Sequence, residues 1–157
     1  MTGWRVGYAA GPRPVIDAMI ALQSHSTSNP ATVSQLATLK ALEKDPVELP
    51  EWRASYLRRR DAFLAALNSI PGLRCNKPGG AFYVFPDVSG WFGKRHGDTT
   101  LNSDTDICNA LLAKSLVATV PGVEFGAPGY LRISYALSDR EVAEAIKRIR
   151  EFAVALK

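Results

Sequence analysis

The sequence predicts an α+β fold: a short sheet covered on one face by helices, preceded by a strand and two helices. Three observations predict it. From Pro46 onward the apolar periods group as helix, two strands, helix, two strands, helix, an order that lays helices over one side of a sheet. The stretch Tyr130 to Ala136 alternates Leu131, Ile133 and Tyr135 against Arg132 and Ser134, the period of a half-buried strand. Ser138-Asp-Arg-Glu141 has capping-box spacing ahead of Val142, Ala145, Ile146, Ile149 and Phe152, which recur at helical intervals.

Taken in order, Arg5 to Ala10 reads as a strand, with Gly3, Gly7 and Gly11 tolerated where a backbone or ligand comes close and Gly11-Pro12 ending it. It has no lead-in, so the sequence is expected to begin mid-structure. Val15, Ala18, Met19 and Leu22 predict a helix from Pro14 to about Gln23. Ser24 to Asn29 is predicted as a polar loop that includes His25, and Pro30 as the lead into a second helix, Ala31 to Leu42, capped by Ser28 or Asn29. The break at Pro46 divides the chain into 1–45 and 46–157. Trp52, Tyr56, Phe63, Leu64 and Leu67 mark a long helix to about Ser69, stopped by Pro71-Gly72. Leu73 to Asn76 is a short strand, Lys77 to Gly80 a turn, and Ala81 to Phe85 the most strand-like run of the chain. Asp87 to Ser103, with Gly90, Gly93 and Gly97, is expected to be an irregular surface loop of the kind that serves as a lid. Ser103 caps a helix carrying Ile107, Leu111, Leu112 and Leu116; Val117 to Val120 is a strand, and Pro121 to Gly129 a turn-rich crossing.

Composition excludes several classes. With 46% hydrophobic and 22% charged residues in 157, the chain can bury a real core. A net charge of +4 is modest, and its one basic cluster, Arg58-Arg59-Arg60, sits on a helical pattern near Glu51 and Asp61, so a solvated face is expected and no nucleic acid. Cys75 and Cys108 are far apart and lack metal-ligand spacing, which predicts buried thiols in a cytoplasmic protein and neither disulfide nor metal. No run approaches the roughly 20 apolar residues of a membrane span, and no signal segment opens the chain, so no membrane partner is expected.

No Ser/His/Asp or Cys/His set and no phosphate-binding glycine loop stands out. What stands out is Arg5 and Arg132, each in a predicted strand among small or aromatic neighbours. A guanidinium pairs bidentately with carboxylate or phosphate, so an anionic ligand is one reading of Arg132; a solvated strand face or a structural ion pair is the other. The residues alone leave both open.

Met1-Thr-Gly-Trp-Arg-Val-Gly-Tyr, Pro78-Gly-Gly-Ala-Phe-Tyr-Val-Phe, Val120-Pro-Gly-Val-Glu-Phe-Gly and Leu131-Arg-Ile-Ser-Tyr-Ala, in this order, resemble the C-terminal part of class I/II pyridoxal-phosphate aminotransferases of fold type I, the bacterial aspartate aminotransferases above all. The resemblance covers the whole chain. It implies that 1–45 belongs to the large, cofactor-binding domain and 46–157 forms the small C-terminal domain. It implies pyridoxal 5'-phosphate as cofactor, an amino acid and a 2-oxo acid as substrates, and a homodimer, with the Ser24 to Asn29 loop near the dimer interface. Arg5 then matches the arginine that grips the cofactor phosphate, Arg132 the one that grips the substrate α-carboxylate, and Phe82 a residue shaping the pocket beside it. In such enzymes the Schiff-base lysine lies a few residues before Gly-Trp-Arg, so this sequence is expected to start downstream of it and to hold no catalytic residue. Lys40 and Lys44, at a predicted helix end, do not replace it. Two other readings remain: a non-catalytic binding or assembly module, and a piece of another fold type I enzyme or relative, such as a decarboxylase, an aminocyclopropane-carboxylate synthase or the regulator domain of a transcription factor.

Overall fold

The computed structural model describes residues 1–43 and 46–157. The chain divides into two compact units, Met1–Leu49 and Pro50–Lys157. In the first, a 3-10 turn at Thr2–Trp4 is followed by α1 (Arg13–Ser26) and α2 (Thr32–Leu42). The strand expected over Arg5 to Ala10 is absent, and residues 6–12 carry no regular structure. A strand needs a neighbouring ladder for its N–H and C=O groups, and no strand among the described residues of this unit offers one. α1 runs beyond Gln23 into the expected loop and takes in His25. Its small hydroxyls bond back along the helix, Ser24 Oγ donating to the Ala21 carbonyl at 2.7 Å and Ser26 Oγ to that of Leu22 at 3.1 Å, so they do not break it. The expected cap on α2 also fails: Ala31 occupies the N-cap without a side-chain bond, while Asn29 Nδ2 donates to the Pro30 carbonyl at 3.0 Å. α1 has no buried residue and α2 only Ser34.

The second unit runs through α3 (Leu49–Asn68), β1 (Tyr83–Val84), β2 (Arg95–His96), β3 (Thr99–Thr100), α4 (Asp104–Ser115), β4 (Val120–Pro121), β5 (Leu131–Ser134) and α5 (Asp139–Val154). Its main sheet has the order β1-β5-β4, antiparallel throughout, with β5 in the middle. This is the predicted α+β arrangement. One core collects Phe63 and Leu67 of α3, Ile107 and Leu111 of α4, Ile149 and Phe152 of α5, and Val84, Leu131 and Ile133 of the sheet. Both predicted helix starts are in place. Ser103 Oγ accepts the Asp106 N–H, and Ser138 with Glu141 forms a complete capping box. The strand expected over Leu73 to Asn76 is reduced to a single bridge between Arg74 and Asp87.

Residues 87–103 are largely exposed, as expected of a surface loop, but Val88, Trp91 and Leu101 are buried and anchor the segment to the core. Trp91 is 1% exposed, its Nε1 donates to the Pro71 carbonyl at 2.9 Å, and its ring lies 5.7 Å from that of Phe152. His96 stacks on the same Phe152 at 4.5 Å, and Arg95 exchanges backbone hydrogen bonds of 2.9 and 3.0 Å with Lys157. The indole sits so close to the turn after α3 that a Cβ on Gly72, whose φ is 84°, would come within 2.7 Å of Trp91 Cδ1. A segment held in this way is a structural strap.

The arginine cluster is paired where a solvated face was expected. Arg58 and Arg59 both donate to Asp139 at the start of α5, at 2.7 and 2.6 Å, and Arg60 meets Asp61 at 2.9 Å. Hydrogen bonds from Arg59, then Arg58, hold the Asp139 carboxyl below its ordinary range. A lowered carboxylate pKa means stability that is present above the ordinary value and lost as pH falls through the lowered one. Asp139→Asn is therefore expected to lower Tm at neutral pH, with the gap to wild type closing as the pH drops below about 4. Thermal melts of both proteins across that range check it, and a gap independent of pH would show that the pair is not what links α3 to α5. Cys75 and Cys108 are buried free thiols, and burial raises the pKa of both.

Candidate functional site

The site is built on β5. The register sets Tyr83 opposite Ser134, Val84 opposite Ile133, Val120 opposite Arg132 and Pro121 opposite Leu131. Because side chains alternate across a strand, Leu131, Ile133 and Val84 enter the core, and Arg132, Ser134 and Tyr83 stand together on the other face. Arg132 is half-buried there, with its guanidinium carbon 4.6 Å from the ring centroids of both Tyr83 and Phe125. Phe85 meets Phe125 edge-on at 6.2 Å and stacks on Tyr130 at 5.2 Å. Among the described residues no carboxylate lies within ion-pair distance of Arg132, in contrast to Arg58, Arg59, Arg60 and Arg148.

Two devices hold this face in place. Ala81 has a φ of 60°, a left-handed conformation that costs a residue with a Cβ about 1 kcal/mol or more, and it is fixed by Tyr135, whose hydroxyl donates to the Ala81 carbonyl at 2.8 Å. Tyr135 N–H donates to the Phe82 carbonyl at 2.9 Å, so the entry to β1 is tied to the end of β5. On the other side, Asp104, 3% exposed, fixes the turn Gly122–Phe125 that carries Phe125. One of its oxygens accepts the N–H groups of Val123 and Gly129 at 2.9 and 3.3 Å, and the other accepts that of Thr105 at 3.0 Å. A buried carboxylate needs such donors, and here they shape the loop. Gly122 is required in it, since a Cβ there would collide with the Ala127 carbonyl oxygen.

Of the residues singled out from sequence, Arg132 and Phe82 share this unit. Phe82 packs partly buried against the core and against Tyr83, at 4.4 Å between centroids; the rings on the guanidinium are those of Tyr83 and Phe125. Arg5 belongs to the other unit, exposed, at the end of the first 3-10 turn with a φ of 58°. Lys40, on the last turn of α2, is engaged with Glu43 at 2.8 Å, and Lys44 lies outside the described residues. Sequence reasoning missed Tyr83, Phe125 and Asp104. The signal for Tyr83 was there: pairing Ala81 to Phe85 antiparallel with Tyr130 to Ala136 puts it on the arginine face.

The model of the family "Aminotransferase class I and II" matches residues 1–149. The chain belongs to the class I and II aminotransferases. It is 45% identical over 157 residues to an aspartate/prephenate aminotransferase of Cereibacter sphaeroides, covering 99% of this chain and 39% of that protein. To an aspartate aminotransferase of Rhizobium meliloti it is 47% identical over 150 residues, covering 95% of this chain and 37% of that one. The crystal structure of the Rhizobium meliloti aspartate aminotransferase superimposes with a TM-score of 0.85 at 45% identity, over 100% of this chain and 40% of the other. A Thermus thermophilus aspartate aminotransferase mutant does so with 0.77 at 39% identity, over 97% and 40%. This aminotransferase chain thus spans about two fifths of the length of the relatives it matches, all of it within the fold type I architecture.

Proposed function

We propose that this aminotransferase chain is the C-terminal part of a pyridoxal-phosphate enzyme that moves the amino group of an amino acid, aspartate or one like it, to a 2-oxo acid. Residues 1–45 contribute to the large domain and 46–157 form the small one; the whole works as a cytoplasmic homodimer. The observation that carries this reading is Arg132, a half-buried guanidinium with aromatic rings beside it and no carboxylate partner among the described residues. Such a group is matched by a substrate carboxylate, paired in the guanidinium plane. Holding that carboxylate fixes the α-carbon in place, which is the orientation term of catalysis. In this reading Phe82, in ring contact with Tyr83, shapes the pocket beside it.

One residue present supports the cofactor. Arg5 is an exposed guanidinium in a glycine-flanked turn, suited to a phosphate group. When bound, pyridoxal phosphate supplies the electron sink for breaking the bonds of the amino acid at its α-carbon. The apolar side chains that α1 and α2 leave exposed, Val15, Ile20, Leu22, Val33, Leu36 and Leu39, support a homodimer or further chain covering this unit.

The test is amino transfer from L-aspartate to a 2-oxo acid by the full-length protein, set beside residues 1–157 alone. The full-length protein is expected to turn over, and the shorter chain to show none, because no lysine precedes Lys40 in it. A full-length protein without amino transfer from any amino acid would overturn the reading.

A further inference from the structure

We propose that Tyr83 and Phe125 are positioning residues that clamp the Arg132 guanidinium and so set how tightly a carboxylate is held; the proposal rests on the reading of Arg132 as the carboxylate-binding group. The topology supplies the clamp. β5 is central, so Tyr83 reaches Arg132 from β1 on one flank and Phe125 from the turn after β4 on the other, each 4.6 Å from the guanidinium carbon. Both rings are buttressed. Tyr83 lies against Phe82 at 4.4 Å, and Phe125 against the edge of Phe85, itself stacked on Tyr130. Core packing does not account for the arrangement, since Phe125 remains 48% exposed and Tyr130 36%.

Physical chemistry says what such a clamp does. An arginine side chain has many rotamers, and ordering it when a ligand binds opposes binding. Rings that hold the cation beforehand remove that cost, and they compensate a charge which here has no carboxylate partner among the described residues. A ring stacked on a guanidinium face leaves the in-plane N–H groups to a carboxylate.

Phe125→Leu and Tyr83→Leu in the full-length protein keep apolar bulk and remove the ring. Each is expected to raise the KM for L-aspartate about 2- to 30-fold, the range spanned by exposed to desolvated cation–π pairs, with little change in kcat. Reaction with ethylamine, which has no carboxylate, should not change, and Tyr83→Phe and Phe125→Tyr should behave as wild type. Arg132→Lys run in parallel separates the two ideas. If it weakens L-aspartate and ethylamine equally, the carboxylate reading itself falls. If it is selective for the carboxylate while the leucine variants leave KM unchanged, or reduce both substrates alike, the clamp is overturned. Phe125 is exposed enough for its truncation to leave the fold standing, so Phe125→Leu decides even if Tyr83→Leu fails to fold. An independent readout is the Nε–H resonance of Arg132, displaced by ring currents in the wild type and expected to move toward its ordinary position in Phe125→Leu; no movement would also count against the clamp.

Discussion

Replacing Arg132 by lysine in the full-length aminotransferase is expected to cost amino-acid substrates between one and four powers of ten in kcat/KM. The guanidinium offers a planar fork that meets both oxygens of a carboxylate, whereas lysine brings a point charge on a flexible stem. Truncating one partner of a buried hydrogen-bonded charge pair costs about 2 to 5 kcal/mol, and each factor of ten corresponds to about 1.4 kcal/mol. The aromatic surroundings sharpen the effect, since Tyr83 and Phe125 flank a flat cation at 4.6 Å and an ammonium fills that slot poorly. Arg132 is on the sheet face opposite the core and has no carboxylate partner among the described residues, so the fold should tolerate the change. The measurement is single-turnover reaction of L-alanine and of ethylamine in both proteins, with the visible spectrum of the bound cofactor as control. A large loss for L-alanine, none for ethylamine and an unaltered spectrum are expected. Equal losses would mean that Arg132 supports the structure and does not read the carboxylate.

Trp91→Ala should have the largest effect on stability. The side chain is 1% exposed, packs on Phe152 and donates its Nε1 hydrogen to the Pro71 carbonyl at 2.9 Å. Truncating a buried tryptophan costs about 3 to 5 kcal/mol through lost burial and the cavity left behind. The unpaired Pro71 carbonyl adds to this, and with typical domain stabilities of roughly 5 to 15 kcal/mol the variant is expected to be only marginally folded. Trp91→Phe keeps most of the packing and loses the hydrogen bond, so it should fall between the two. Urea denaturation of the three proteins checks the order. Midpoints that coincide would mean that residues 87–103 lie loosely on the surface, the lid that their glycine content suggested.

The anchoring of that loop through Trp91 shows what kind of information was legible in the sequence. The features read correctly there are those whose causes lie within a few residues of chain. The capping box at Ser138 and Glu141, the cap at Ser103, and the alternation of Leu131 and Ile133 against Arg132 and Ser134 are written at fixed short spacings. So is the α+β class, which follows from the order of those periods. The four family motifs lie in the same linear record.

The tertiary structure decided what depends on partners distant in the chain. The strap over 87–103 exists because Phe152 and Lys157, more than 50 residues later, receive Trp91, His96 and Arg95. The segment after Arg5 is not a strand because strand geometry is stabilised by a neighbour, not by its own residues. Arg58, Arg59 and Asp139 become a pair only when α3 meets the start of α5. The surroundings of Arg132 are of the same kind. One ring comes from 49 residues before it and the other from a turn that Asp104 holds by two backbone N–H groups, and only the pairing of β1 and β4 on either side of β5 brings them to one guanidinium.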